Sequence, residues 1–539
     1  MSENETVETS GVKTQDLISA SILVVAVTMA AFLRLYQIDL KPLHHDEGVN
    51  SYFLLNLYNR GEYKYDPTNY HGPTLYYFAL LALWVWGKTE LALRFWPAIW
   101  GVLSVGILWL LRRWLGSAGL AVAATLMAVS PGLVYFSRDF IHESSFGFFT
   151  LGIVVGAWCY VATRRFIYLA LAAISAALLF ATKETAVITA VVLLLAALCA
   201  ALWDRGCQLK LWRRFQLSVM LTEVWQQLRG IWPSFDLLLS AAVIFIFINI
   251  VFYSSFFTNW RGVAGAFESI WLWVGRGTGG DGHEHAFHYY LGILMKLELP
   301  LLIGGLLGTV VALWRRERFG LFLLAWSVGI VLTYSLIPYK TPWLTVSMLI
   351  PLALLTGYAA QEIFLRLPGL SLRLLGAVSV LIALILSAQL AYQVNFDKYD
   401  DNSNSSGYLQ ALGSRLSLKA YTDGRYGGYV YAQTERDLLD LMREIEKATS
   451  RLPTGKETDI YVASPEYWPL PWYLREYSHV AYAGTLPDTI AQPVIIAREG
   501  QQEELEQKLS GDYRLSFFSL RPGVELVLYV RQQSTNSSE

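Results

Sequence analysis

Apolar and polar residues are not evenly mixed along this chain; they come in blocks. From Leu17 to Tyr392 apolar runs recur, separated by short polar stretches, and a helix of about 20 such residues crosses a bilayer. The runs are 17–36, 94–114, 117–136, 145–163, 166–181, 185–203, 235–254, 289–314, 319–337, 343–365 and 372–392. Run 73–87, Pro-Thr-Leu-Tyr-Tyr-Phe-Ala-Leu-Leu-Ala-Leu-Trp-Val-Trp-Gly, is shorter, rich in aromatics, and bracketed by Gly-Pro and Gly. The first run has no small-residue cleavage site and leads into Arg34, so it is expected to be a retained helix rather than a signal peptide. Residues 1–16 before it are polar and expected to be a disordered cytoplasmic tail.

Lys and Arg in short loops stay on the cytoplasmic side. The basic loops are Arg112-Arg113, Arg164-Arg165, Asp204 to Arg229, Arg315-Arg316-Glu317-Arg318 and Arg366 to Arg373. They fall on the side of the N-terminus only if run 73–87 does not cross, so that run is expected to lie at the interface. About eleven crossings follow, with the C-terminal part of the chain outside. The same count sends Asp46-Glu47, Ser137-Arg138-Asp139, Lys183-Glu184, Asp281 to His288, Tyr339-Lys340 and all eight histidines to the outer face.

After Asn395 the pattern changes. Residues 395–410 form a polar, Ser- and Asn-rich linker, and 411–539 read as a small α/β domain. Strands are expected at 428–432, 459–463, 480–483, 493–497, 513–520 and 524–530, and helices at 435–449 and 501–509. The run Tyr467-Trp468-Pro-Leu-Pro-Trp472-Tyr473 between strand and helix suits docking onto the membrane domain better than stacking on a sugar.

Composition agrees with this division. Of 539 residues, 54% are hydrophobic and 16% charged, with a mean hydropathy of +0.38, whereas a soluble chain carries roughly 25% charged residues. A net charge of −1 gives no footprint for nucleic acid. Cys159, Cys199 and Cys207 lack metal spacing and read as packing residues.

The polar clusters carry the chemistry, because charge at a membrane edge is costly and marks a functional candidate. His44-His45-Asp46-Glu47 follows the first membrane run. The two acids could cap a helix N-terminus, or Asp46 could act as general base toward an acceptor hydroxyl. Glu47 would then orient the acceptor or hold a divalent cation. Arg138 suits bidentate capture of a phosphate, or an ion pair with Asp139 or Glu143. Lys183-Glu184 reads as an ion pair pinning two helices or as part of the site. Lys340, a lone cation in Ile-Pro-Tyr339-Lys340-Thr-Pro-Trp, is placed to meet a leaving phosphate. His283, His285 and His288 lie in a Gly-rich loop that reads as a lid. A metal set from Glu47, His283 and His285 lacks His-Glu-x-x-His spacing. No organic cofactor is implied.

These motifs, with Glu90-Leu-Ala-Leu-Arg-Phe-Trp-Pro-Ala and His71-Gly72-Pro73, resemble the GT-C glycosyltransferases. The nearest kinds are dolichyl-phosphate-mannose protein mannosyltransferases and lipid A aminoarabinose transferases. The set is most similar to a less characterised subgroup with archaeal members associated with lipid-sugar flipping. The resemblance covers roughly Leu17 to Tyr392. It implies a multi-pass inner (plasma) membrane enzyme taking sugar from a polyprenyl-phosphate donor and inverting the anomeric carbon at an extracytoplasmic site. Asp46 corresponds to the first-loop catalytic acid, and Arg138 and Lys340, with Lys183, would flank the lipid phosphate. His45, His71, Asp139, Glu143, Glu184, His283, His285 and Tyr339 would contact substrate. Sugar and acceptor (protein, lipid or glycan) are left open. A lipid-linked-sugar flippase without transferase activity is the alternative; one-sided charge and the lack of an internal repeat favour the enzyme.

Overall fold

The computed structural model describes residues 2–61, 63–68, 71–208, 222, 225–226, 232–277, 283–397, 429 and 433–532. Its first nine helices are α1 (Ser2–Leu35), α2 (His45–Arg60), α3 (Thr74–Trp86), α4 (Glu90–Gly106), α5 (Arg112–Val129), α6 (Pro131–Tyr135), α7 (Glu143–Thr163), α8 (Phe166–Phe180) and α9 (Ala186–Gln208). Among the described residues eight helices are long and apolar enough to cross a membrane, or nine if the bent pair Tyr289–Leu297 and Leu299–Arg315 is one span. The chain is a multi-pass membrane protein.

The eleven expected crossings differ from this number for two physical reasons. Glu90–Val129 passes as one 40-residue segment yet is a hairpin. Gly101 and Gly106 of its first leg face Arg34 and Val27 of α1 in turn, so this leg runs antiparallel to α1. Ser19 donates to Ser117, and Arg34 to the carbonyls of Met127 and Ala128, so the second leg runs parallel to it. The chain reverses at Gly116, where φ is 68° and ψ 173°, a backbone position that glycine adopts without a steric penalty. The other missing crossing is α8, whose 15 residues fall short on length. α3 has 13 residues and measures about 20 Å at 1.5 Å per residue, short of a hydrocarbon core of about 30 Å.

Helices pack closely where side chains are small. A Cβ on Gly357 would lie 2.5 Å from the Gly119 carbonyl oxygen, so α5 meets helix Val346–Arg366 backbone to backbone, as small residues allow in membrane bundles.

The C-terminal domain holds a five-stranded sheet of β1 (Ile460–Val462), β2 (Val480–Tyr482), β3 (Val494–Arg498), β4 (Tyr513–Arg521) and β5 (Val524–Arg531), in the order β2-β1-β3-β5-β4. The first three are parallel and β5 and β4 antiparallel. The strand period of two sends Val494 and Ile496 into a core with Leu438, Leu441 and Ile445 of helix Asp437–Thr449. Ile495 and Ala497 face Leu505 of helix Gln502–Lys508 on the other side. These elements lie where the sequence pattern puts them; most of the expected strand at 428–432, and the linker from 398, lie outside the described residues.

This domain sits on the loop between α1 and α2. The Leu43 amide donates to the Tyr473 hydroxyl (2.9 Å), which donates to Glu90 (3.0 Å). Gln433 and Thr434 donate to the carbonyls of Pro42 and Leu43, and Arg475 to that of Lys88. A Cβ on Gly48 would lie 2.5 Å from the Pro469 Cβ, so only glycine lets the domain this close to α2. The aromatic run at 467–473 thus serves as a docking element: Trp472 is buried, and Trp468 packs edge-on to His45 and Tyr52.

Candidate active site

The segment after α1 carries its charges in two settings. α2 begins with a capping box: His44 is the N-cap, and Glu47 Oε2 accepts from the His44 amide at 2.8 Å. Glu47 also receives Nε and Nη2 of Arg94, each at 2.7 Å, and the Phe140 amide at 2.7 Å. Both side chains of this pair are fully buried. Burial opposes the Glu47 charge, but the Arg94 guanidinium outweighs it and holds the carboxyl below its usual range. The remaining Arg94 donors reach the carbonyls of Ile38, Lys41 and Pro42. Glu47 therefore anchors the loop that carries Asp46 and is not among the residues that line the adjoining cavity.

Other predicted site cations are committed in the same way. Arg138 is fully buried and donates to the carbonyls of Leu33, Arg34, Tyr36 and Gln37. It satisfies the orphan acceptors at the C-terminus of α1 and stacks over Phe396 at 4.4 Å. Asp139, instead of pairing with Arg138, is bound to the buried Lys41, which lies over the Tyr135 ring. Lys340 is buried and donates to the carbonyls of Ile337 (2.5 Å) and His285 (2.9 Å). With the bridge between Glu284 and Tyr339 it pins the 283–285 strip to the 337–340 strip. Neither Arg138, Asp139 nor Lys340 lines the cavity.

The cavity has a volume of about 710 Å³. Asp46, His45 and His44 contribute from α2 and its cap, His71 from the turn before α3, and His142 and Glu143 from the start of α7. Lys183 and Glu184 join from the α8–α9 turn, His283 and Tyr339 from the pinned strips, and Arg521 from the end of β4. Trp273 and Trp343 add aromatic faces. Members of several of the clusters assigned to one membrane face by loop charge thus share one cavity.

Within the cavity several polar side chains are paired with one another, with Asp46 as an exception. Lys183 Nζ contacts Glu143 at 2.5 Å, so Lys183 and Glu184 do not pair with each other. Glu184 accepts from Tyr65 (3.3 Å) and meets His71 Nδ1 at 3.1 Å. His71 is held in the left-handed region at φ 40° and stacks on Trp273 with centroids 5.1 Å apart. Burial raises the Glu184 carboxyl above its ordinary value. His142 lies edge-on to His71, is 1% exposed, and its Nε2 has no partner among the described residues. Burial, helped by His71 and Lys183, pushes its imidazole well down, so it is neutral at pH 7. Burial likewise lowers His45 to about 4, against the pull of Asp46. The Asp46 carboxylate has no hydrogen-bond or ion-pair partner among the described residues.

Such a carboxylate beside the neutral His45 imidazole can accept a proton from a hydroxyl held in the cavity. The metal set considered from sequence is not assembled. Glu47 is bound to Arg94 and His285 stacks on Tyr289 at 4.2 Å. Among the described residues no group of three or more His, Cys, Asp or Glu is placed to hold a metal ion. The tip of the expected lid, 278–282, lies outside the described residues, while His283 and His285 are fixed by backbone bonds to Lys340 and Pro338.

Arg94, Lys41, His142 and Arg521 were not among the sequence candidates. Arg94 had a signal, a single cation inside an apolar run, where charge needs a buried partner. His142 was adjacent to the flagged Glu143. Arg521 had none, since nothing local to a strand end tells which cavity it reaches.

Residues 70–224 match the family model of dolichyl-phosphate-mannose-protein mannosyltransferase. The chain is similar in structure to ArnT from Cupriavidus metallidurans bound to undecaprenyl phosphate, with a TM-score of 0.56 at 16% identity over 95% of this chain and 98% of that one. It is also similar to the archaeal oligosaccharyltransferase AglB from Archaeoglobus fulgidus, in complex with an inhibitory peptide and a dolichol-phosphate. There the TM-score is 0.53 at 14% identity over 96% of this chain and 74% of that one. Comparison with curated proteins gives no match. At these identities the likeness is one of fold: the chain shares the GT-C-type fold of ArnT and AglB.

Proposed function

We propose that this protein is a glycosyltransferase that moves a sugar from a polyprenyl-phosphate donor to an acceptor hydroxyl, with Asp46 as general base. The observation that carries the reading is the Asp46 carboxylate, without a partner among the described residues, on the wall of a cavity of about 710 Å³. Asp46 takes the acceptor proton, the acceptor oxygen bonds to the anomeric carbon, and the carbon–oxygen bond to phosphate breaks. The electron pair of that bond leaves with the phosphate, so attack from the opposite face inverts the centre. Trp273 and Trp343 offer aromatic faces to a sugar ring, and the Glu184–His71 pair and His142 offer polar contacts. Arg138 and Lys340 act as positioning residues that hold the loops in place. By the distribution of basic loops the cavity opens on the extracytoplasmic side. The lipid carriers in the ArnT and AglB complexes support this donor class.

The test is mass spectrometry of glycolipids and glycoproteins from cells lacking the protein, complemented with wild type or Asp46→Asn. A general base contributes about 10²- to 10⁴-fold, so Asp46→Asn should lose the wild-type product by that factor while remaining folded. Full product from the variant would overturn the assignment.

A further inference from the structure

We propose that Arg521, supplied by the C-terminal α/β domain, is the donor-phosphate residue of this cavity. The inference rests on the reading of the donor as a polyprenyl phosphate. A leaving phosphate gathers negative charge, and a guanidinium meets it with paired donors in one plane. The cations that the sequence offers for this task are committed to protein partners. Arg138 caps α1, Lys340 pins two loop strips through backbone carbonyls, and Lys183 is neutralised by Glu143. Among the described residues that line the cavity Arg521 is the one arginine.

Its position is set by folded structure on both sides. Arg521 closes β4 opposite Val524 of β5, after a register irregularity at Ser519 and before the turn at Gly523, where φ is 80°. Its Nη1 donates to the Trp468 carbonyl at 3.4 Å, and Trp468 packs on His45, the neighbour of Asp46. The domain that carries it is tied to the Pro42–Leu43 segment through Gln433, Thr434 and Tyr473. The same segment leads into the capping box that presents Asp46. Base and phosphate partner thus come from two domains whose docking contacts lie between them. The C-terminal domain is then part of the active site rather than an appended cover.

The experiment compares binding of undecaprenyl phosphate and of undecaprenol, its alcohol, to the full-length protein in lipid nanodiscs. Wild type should prefer the phosphate. Arg521→Ala should weaken phosphate binding by about 10-fold or more, the scale of a lost charged hydrogen bond, and leave the alcohol unchanged; Arg521→Lys should recover part of the loss. Arg521→Ala with wild-type preference for the phosphate would overturn the assignment and leave the enzyme reading standing. Equal loss of phosphate and alcohol binding would also overturn it, by making Arg521 a docking residue. Wild type without preference for the phosphate would remove both the assignment and the proposed donor class.

Discussion

The charge cluster beneath α2 and the cavity beside it are built from the same residue types, and Asp46 and Glu47, adjacent in the chain, belong one to each. Under α2 each charge is buried and matched: Glu47 with Arg94, Asp139 with Lys41, Arg138 with the carbonyls at the end of α1. Along the cavity wall the pairs Lys183–Glu143 and Glu184–His71 are matched too, but Asp46 and the Nε2 of His142 have no partner among the described residues. The difference teaches that a charged residue at a membrane edge marks a costly position without saying how the cost is offset. Where the partner is protein the residue builds the frame. Where the partner is absent the residue is available to a substrate.

The comparison would break most sharply at Glu47. Removing one member of a buried ion pair strands the other, at a cost of about 3–5 kcal/mol. Glu47→Ala should therefore cause a large loss of thermal stability in detergent, whereas Asp46→Ala should change it within about 0.5 kcal/mol. Equal loss in the two variants would erase the distinction between frame and cavity. A smaller effect is expected at Lys340. Lys340→Met leaves the carbonyls of His285 and Ile337 without their donor, at about 1–3 kcal/mol if they stay buried. Faster hydrogen exchange at the amides of His285 and Lys340 should follow, and unchanged protection would show that the pin is not needed.

The mildest effect concerns pH. Burial holds the folded His45 near 4, while a free imidazole titrates near about 6.5. Above that value the imidazole is neutral in both states and contributes no pH dependence. As pH falls from about 6.5 toward 4 the unfolded chain takes up a proton that the folded one refuses, so stability declines. His45→Gln should flatten this part of the melting-temperature profile. An unchanged slope would mean that His45 titrates normally and stands in open solvent.

The fold was largely legible in the sequence because a bilayer and a packed sheet both impose simple patterns. Runs of apolar residues located the membrane helices, and period-two alternation located the strands of the C-terminal sheet. The reversal at Gly116 was read as a gap between two runs. Of the residues that loop charge assigns to one face, Asp46, His71, Glu143, Lys183, Glu184, His283 and Tyr339 share one cavity. Less legible were the identities of the partners. Arg138 was expected near a phosphate and instead caps a helix, since a helix end and a phosphate both present oxygens to a guanidinium. Arg521 lies 475 residues from Asp46 (521 − 46), and no local rule spans that separation.

By itself the sequence determined which segments are long and apolar enough to enter a membrane and which residues are costly there. These follow from transfer free energies, a property of short stretches. Only the tertiary structure decided that Glu47 is held by Arg94 while Asp46 faces a cavity. One helical residue turns a side chain by about 100°, and that rotation separates a buried ion pair from a cavity-facing carboxylate. What lies in each direction is set by α4, α7 and a C-terminal domain folded back from the far end of the chain.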